Sequence, residues 1–293
     1  MDLRERAREY ARLMRLDRPI GIYLLLWPAL WGLWFAAEGI PHPQVLFVFV
    51  AGVVLMRSAG CVINDYADRN FDPHVARTQN RPMGAGRISE KEALALFTAL
   101  SLAAFALVLT LNALTIALSF VGAFLAASYP FMKRYTHLPQ LYLGIAFAWA
   151  IPMGCAAQTG VVSSPLTWVL FAAPIFWATA YDTMYAMVDR EDDVKIGVKS
   201  TAILFGHRDR FWVGVFQVLT LVMLILAGHM AERGGIYFLG LGAAALLGVY
   251  QQWLIRERAG AACFKAFLNN HWVGLTVFIG LALDYGYGRD FGA

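Results

Sequence analysis

The 293-residue chain is 59% hydrophobic and 14% aromatic but only 15% charged, a balance far from that of a soluble globular domain and suited to a polytopic membrane protein. Its net charge of +4 lies in short basic stretches between apolar runs, not in a patch interleaved with aromatics. That distribution argues against a nucleic-acid partner and for lipid headgroups or an anionic substrate. Cys61, Cys155 and Cys263 are isolated within apolar segments, so neither a disulfide framework nor a thiolate metal site is indicated.

Residues 1–18 mix Leu3, Ala7, Tyr10, Leu13 and Met14 with arginines, the pattern of an amphipathic tail lying in the membrane interface. The first apolar run, 20 to 37, is longer than a signal-peptide core and lacks a convincing small-residue cleavage site after it. It is therefore read as a retained span, and Asp2, Glu5 and Glu9 argue against a transit peptide. A helix needs about 20 apolar residues to cross the hydrocarbon core. The candidates are 20 to 37, 44 to 63, 91 to 110, 113 to 131, 140 to 159, 165 to 187, 211 to 230, 234 to 254 and 270 to 287. The expectation is an all-α membrane protein of nine transmembrane helices in a single domain, 1–293, with no soluble domain and no strong repeat. Ser89 and Glu92 have capping-box spacing for the third helix, and Asn269 is the expected cap of the last, with His271 at its start.

Lys and Arg gather in the tail and in every second connection, whereas the opposite connections hold little beyond Arg233. The positive-inside rule then places the N-terminus in the cytoplasm and, with nine spans, the C-terminus outside. The long cytoplasmic connections, 64–90 and 188–210, carry two acidic clusters. Asn64, Asp68 and Asp72 recur every four residues, so on a continuing helix each is offset by only about 40°. Asp182, Asp189 and Asp193 follow spacings of seven and four, which again keeps them on one helical face.

Carboxylates gathered at the ends of spans call for a positive partner. Oxygen donors without nearby His or Cys favour Mg2+, completed by water and substrate phosphates. Arg77 and Arg81, with Lys195 and Lys199, are placed to neutralise phosphate oxygens. A calcium loop over Asp68, Asn70 and Asp72 fails because Pro73 stands where that loop needs Gly and Gln79 where it needs Glu. A solvated helix end, salt-bridged to Arg69 or Arg190, is the plain structural alternative. Arg57 lies seven residues before Asn64, on the same face and about 10 Å deeper. A buried Arg wants an anion, so it is either the receptor of an anionic group or a structural donor to helix-end carbonyls or another acidic residue.

At these residues the chain resembles the UbiA-type intramembrane prenyltransferase family. The first motif reads Asn64-Asp65-x-x-Asp68-x-x-x-Asp72 and the second Asp189-x-x-x-Asp193. The Arg18-Pro19-Ile20-Gly21 entry, the Arg77-to-Pro82 loop and the Tyr129-to-Arg134 segment carry the likeness over nearly the whole chain. Tyr181 to Asp189, Asp193 to Thr201 and Met56 to Cys61 resemble the 4-hydroxybenzoate polyprenyltransferase branch. The resemblance implies a central cavity under a cytoplasmic cap, dependence on Mg2+, a bacterial inner-membrane location and a role in ubiquinone biosynthesis. It further implies transfer of a polyprenyl group from its diphosphate to the ring carbon ortho to the hydroxyl of 4-hydroxybenzoate. Asn64, Asp68, Asp72, Asp189 and Asp193 would then hold the metal, with the four aspartates catalytic. Arg77, Arg81, Lys133 and Lys195 would bind diphosphate. Tyr129 and Tyr185 head the aromatic candidates for steadying an allylic cation, with Arg57 on the aromatic acceptor.

Two other readings compete. A family member with another acceptor would carry the same motifs, and the acceptor side, Arg57 above all, must separate it. A secondary transporter would also carry intramembrane charge, but it would more often show paired interrupted helices at the midplane. Beyond the two substrates and membrane lipid, the sequence names no protein partner.

Overall fold

The structure is a computed structural model and describes residues 2–70 and 78–290. Among these every regular element is helical. In chain order they are α1 (Leu3–Leu13), α2 (Ile20–Ala36), α3 (Pro43–Asp68), α4 (Glu90–Val108), α5 (Ala113–Ser128), α6 (Met132–Tyr135), α7 (Pro139–Ala148), α8 (Ala150–Thr159), α9 (Pro165–Ile196), α10 (Thr201–Phe205), α11 (Asp209–Met230), α12 (Gly235–Leu254) and α13 (Gly260–Asp290).

Helix ends follow local chemistry. The Ser89–Glu92 capping box forms as expected at α4, and a second, Asp2 with Glu5, starts α1. Asn112 caps α5 through Thr115 N at 2.9 Å and also donates to the Ala156 carbonyl at 2.6 Å, tying two helix ends together. The expected span 140 to 159 breaks at Trp149 into α7 and α8. Pro152 lies three residues on and has no N–H to continue the backbone ladder to Ala148.

Two boundaries depart most from the hydropathy reading. α9 runs on as one helix through Ile196, so the acids after 188 stand on a helix and not on a loop. It stops at Gly197, whose φ of 73° is the left-handed C-cap conformation that glycine adopts without penalty. α13 begins at Gly260, nearly three turns before the expected start, so Asn269 and His271 lie inside the helix and not at its cap. His271 instead accepts from Trp27 Nε1 at 3.3 Å.

The main core lies among α2, α8, α9, α11, α12 and α13, around Trp31, Ile151, Trp177, Tyr237 and Val277. Trp31 is wholly buried and donates to the Gly274 carbonyl at 3.2 Å, while Trp177 donates to Asn270 at 2.9 Å. These indoles join α2 and α9 to α13 with their N–H groups satisfied. α1 docks over α3 and α4 by burying Leu13 against Val62, Met83 and Ile88. Polar pins fix it: Arg6 and Tyr10 to Glu92, Arg87 to Glu9, and Arg15 to Asp65.

Seven helical segments among the described residues are long and apolar enough to cross a membrane. α2, at 17 residues, is apolar but shorter, and α9 is not among the seven. Residues of α2, α3, α4, α5, α7, α8, α9 and α13 wall a central cavity of about 390 Å³. α11 and α12 contribute none of its lining and pack outside, α11 on α9 and α12 on α13.

Candidate active site

The two acidic sequences end up on two helix ends that face one another. α3 stays helical through Asp68, so Asn64 and Asp68 stand one above the other, with Asn64 Nδ2 donating to Asp68 Oδ2 at 3.2 Å. Asp182, Tyr185, Asp189 and Asp193 form a row along one face of α9. Between them lies a second cavity of about 150 Å³, lined by Asn64 and Asp68 from α3 and by that row from α9. The short turn Tyr129–Phe131 and α6 close one side, bringing Tyr129 and Lys133.

Asp68 is 3% exposed; its Oδ2 accepts from Lys133 Nζ at 2.5 Å, and its Oδ1 is buried without a hydrogen-bond partner among the described residues. An ionised oxygen left bare in such a place is costly unless a cation or water meets it. Arg81 lines both cavities and reaches Asp65 at 3.2 Å. Asp65, fully buried, also takes Arg15 at 2.7 Å. The second residue of the first motif thus turns from the cavity and holds two arginines in place.

The mirror arrangement occurs at α9. Arg190, between Asp189 and Asp193 in sequence, pairs with wholly buried Asp209, which Arg258 also engages at 2.8 Å. Arg190 is thereby kept from the neighbouring carboxylates. Behind the site, Lys199 N donates to the Lys133 carbonyl at 3.0 Å and Thr201 N to Gln140 Oε1 at 3.0 Å. Those bonds fix the chain after Gly197 against α6 and α7.

Of the residues expected to act together, Asn64, Asp68, Arg81, Tyr129, Lys133, Tyr185, Asp189 and Asp193 share the smaller cavity. Asp72 and Arg77 lie outside the described residues. Lys195 is not brought in: its side chain is 71% exposed and sits 3.4 Å from Asp192. It follows Asp193 by two residues on a helix, which turns it about 200° away. Lys199, delivered by the turn at Gly197, lines the cavity in its stead.

Asn64, Arg81, Tyr129, Asp182 and Tyr185 line both cavities, so the polar chamber adjoins the larger one. Phe49, Val53 and Phe147 make the larger one apolar, but Arg57 projects into it. Tyr185 packs its ring 4.7 Å from Phe267. Tyr181, 2% exposed, borders the same space with its hydroxyl unpartnered. The site thus joins a charged chamber to an apolar one that holds a cation.

The donor set suits a hard cation that keeps water and takes phosphate oxygens. Four carboxylates (Asp68, Asp182, Asp189, Asp193) face three cations (Arg81, Lys133, Lys199) around the smaller cavity, and a bound diphosphate would add further negative charge that a divalent ion offsets. Among the described residues no three acidic, His or Cys side chains are grouped closely enough to hold a metal by themselves. A metal there would rely on ligands supplied by the substrate and by water as well as by the protein.

Residues 25–275 match the model of the UbiA prenyltransferase family. The chain is 65% identical over 283 residues to the 4-hydroxybenzoate octaprenyltransferase of Methylococcus capsulatus, covering 97% of each chain. Its fold is similar to the apo structure of a UbiA homolog from Aeropyrum pernix K1, with TM-score 0.80 and 26% identity over 90% of this chain and 97% of that one. A UbiA homolog from Archaeoglobus fulgidus solved bound to DMAPP and Mg2+ gives TM-score 0.72 at 19% identity over 96% and 98% of the two chains. With its apolar helices, the match makes this an integral membrane protein, and the chain belongs to the UbiA prenyltransferase family.

Proposed function

We propose that the chain transfers a polyprenyl group from polyprenyl diphosphate to the ring carbon ortho to the hydroxyl of 4-hydroxybenzoate, releasing diphosphate, in ubiquinone biosynthesis. The observation that carries this reading is a carboxylate-and-cation chamber that shares five wall residues with a largely apolar cavity lined by Arg57. The name of the 65% identical relative supports the same acceptor.

Asn64, Asp68, Asp189 and Asp193, with Asp72, would hold Mg2+, whose charge steadies the departing diphosphate. Arg81, Lys133 and Lys199 bind the remaining phosphate oxygens, Arg81 through a planar fork and the lysines as point charges. Asp65 holds Arg81 in position from behind. The allylic carbon then faces the wall of Tyr129 and Tyr185, whose rings favour a developing cation by about 1–2 kcal/mol each where water is excluded. Arg57 takes the acceptor carboxylate and so orients the ring toward that carbon. The apolar lining receives the start of the prenyl chain and keeps water from the cation.

In the membrane, α2 and α9 complete nine crossings: α2 is apolar, and the 32 residues of α9 exceed the length one crossing needs. The N-terminus and the acidic chamber then lie on the cytoplasmic side of a bacterial inner membrane, the C-terminus outside. α1 lies in the interface, and 1–293 forms one domain. The connections after α3 and after α9 form the cap.

The test is Mg2+-dependent transfer of a labelled prenyl group to 4-hydroxybenzoate in membranes holding wild type or Asp68→Ala. Product that forms in wild type and vanishes with Asp68→Ala or with a chelator is expected. Prenylation of another aromatic or lipid acceptor, with 4-hydroxybenzoate untouched, would overturn the acceptor assignment.

A further inference from the structure

Arg57 is held in an unusual way. Its Nη1 donates to Cys61 Sγ at 2.9 Å, while its Nε is buried without a hydrogen-bond partner among the described residues. Opposite stands Gly21, in the first turn of α2, which lines the same cavity. A Cβ on Gly21 would stand 2.2 Å from Nε, 2.3 Å from Nη2 and 2.6 Å from Cζ. Near-equal distances to two nitrogens, both shorter than that to the carbon joining them, put the point in front of the Nε–Nη2 edge. That edge therefore lies against α2, closer than any side chain at position 21 would allow. Other glycines of this cavity differ: a Cβ on Gly52 or Gly60 would meet nothing within 4 Å.

We propose that Gly21 is a specificity-determining position for the acceptor: its missing side chain is the space in which the Nε–Nη2 edge of Arg57 lies against α2, which sets the guanidinium where its other N–H groups receive the acceptor carboxylate. The inference rests on Arg57 as the carboxylate receptor. Gly21 acts through Arg57 and is a positioning residue. Because the obstructing atoms are the far end of a flexible side chain, an added methyl is accommodated by swinging the guanidinium aside, not by moving α2. The result is an enzyme with an intact fold and a displaced cation.

The experiment measures initial rates in reconstituted membranes with one prenyl donor and two acceptors, 4-hydroxybenzoate and its uncharged amide. Gly21→Ala is expected to raise KM for the acid about 10- to 100-fold, the cost of losing a charge-assisted bond. KM for the amide and for the donor should stay within about two-fold of wild type, being uniform binding elsewhere. Gly52→Ala, a methyl added away from Arg57, should keep the preference for the acid. Loss of that preference in Arg57→Ala but not in Gly21→Ala overturns the role of Gly21 and leaves Arg57 standing. Retention in both overturns the reading of Arg57 itself. In the Arg57→Ala background, Gly21→Ala should change neither KM nor melting temperature further; an additional loss there would mean that the glycine serves helix packing, and the inference falls.

Discussion

The acid-bearing ends of α3 and α9 use the same residue types at related spacings, yet they are built in opposite ways. At α3 the carboxylates are buried and already matched by cations from elsewhere, Asp65 by Arg15 and Arg81, and Asp68 by Lys133. At α9 the carboxylates are half-exposed along one face, and it is the motif's own cation, Arg190, that is drawn aside by buried Asp209. One end is a buried anchor and the other a half-exposed row. Similar motifs therefore do not imply equal contributions to stability and catalysis.

The widest expected effect is on turnover, where the two ends should behave alike. Asp68→Ala and Asp193→Ala should each lower prenyl transfer by about 100- to 1000-fold, the scale of losing one preorganised electrostatic contact. Titrating Mg2+ in each variant checks this, and a variant at either end with near-normal rates would break the pairing of the ends.

Stability should then separate them. Asp65→Ala leaves Arg15 and Arg81 without their shared anion and is expected to cost about 3–5 kcal/mol. Asp209→Ala, which strands Arg190 and Arg258, belongs to the same range. Asp189→Ala removes a half-exposed acid and should cost no more than about 1 kcal/mol. Thermal unfolding in one detergent ranks the three, and equal midpoints for Asp65→Ala and Asp189→Ala would erase the contrast.

The smallest effect concerns two lysines four residues apart. Lys199→Ala should raise KM for the diphosphate donor about 10-fold through loss of a charge-assisted contact. Lys195→Ala, exposed and paired with Asp192, should stay within about two-fold. The reverse order would mean that the turn at Gly197 opens in the working enzyme.

Those lysines mark where reading the sequence succeeds and stops. Hydropathy locates the apolar middles of the helices because lipid dictates them, and the acidic faces follow because α3 does continue to Asp68. Hydropathy is blind to the charged extension of α9, since a water-exposed turn of helix leaves no apolar trace. Continuing the helix would have turned Lys195 away from Asp193, and the left-handed glycine at 197 was the signal that brings Lys199 in. The early start of α13 hides behind Lys265 for the same reason. The role of Asp65 depends on Arg15, 50 residues away, and no local pattern announces it.

Five residues, Asn64, Arg81, Tyr129, Asp182 and Tyr185, belong to the walls of both chambers. A common wall makes the two ligands thermodynamically linked, since any shift of those side chains by one is felt by the other. Linkage is reciprocal: whatever factor a bound diphosphate analogue imposes on acceptor affinity, the acceptor imposes on the analogue. Order of addition can therefore set the path of assembly, while the free energy of the ternary complex is the same by either route.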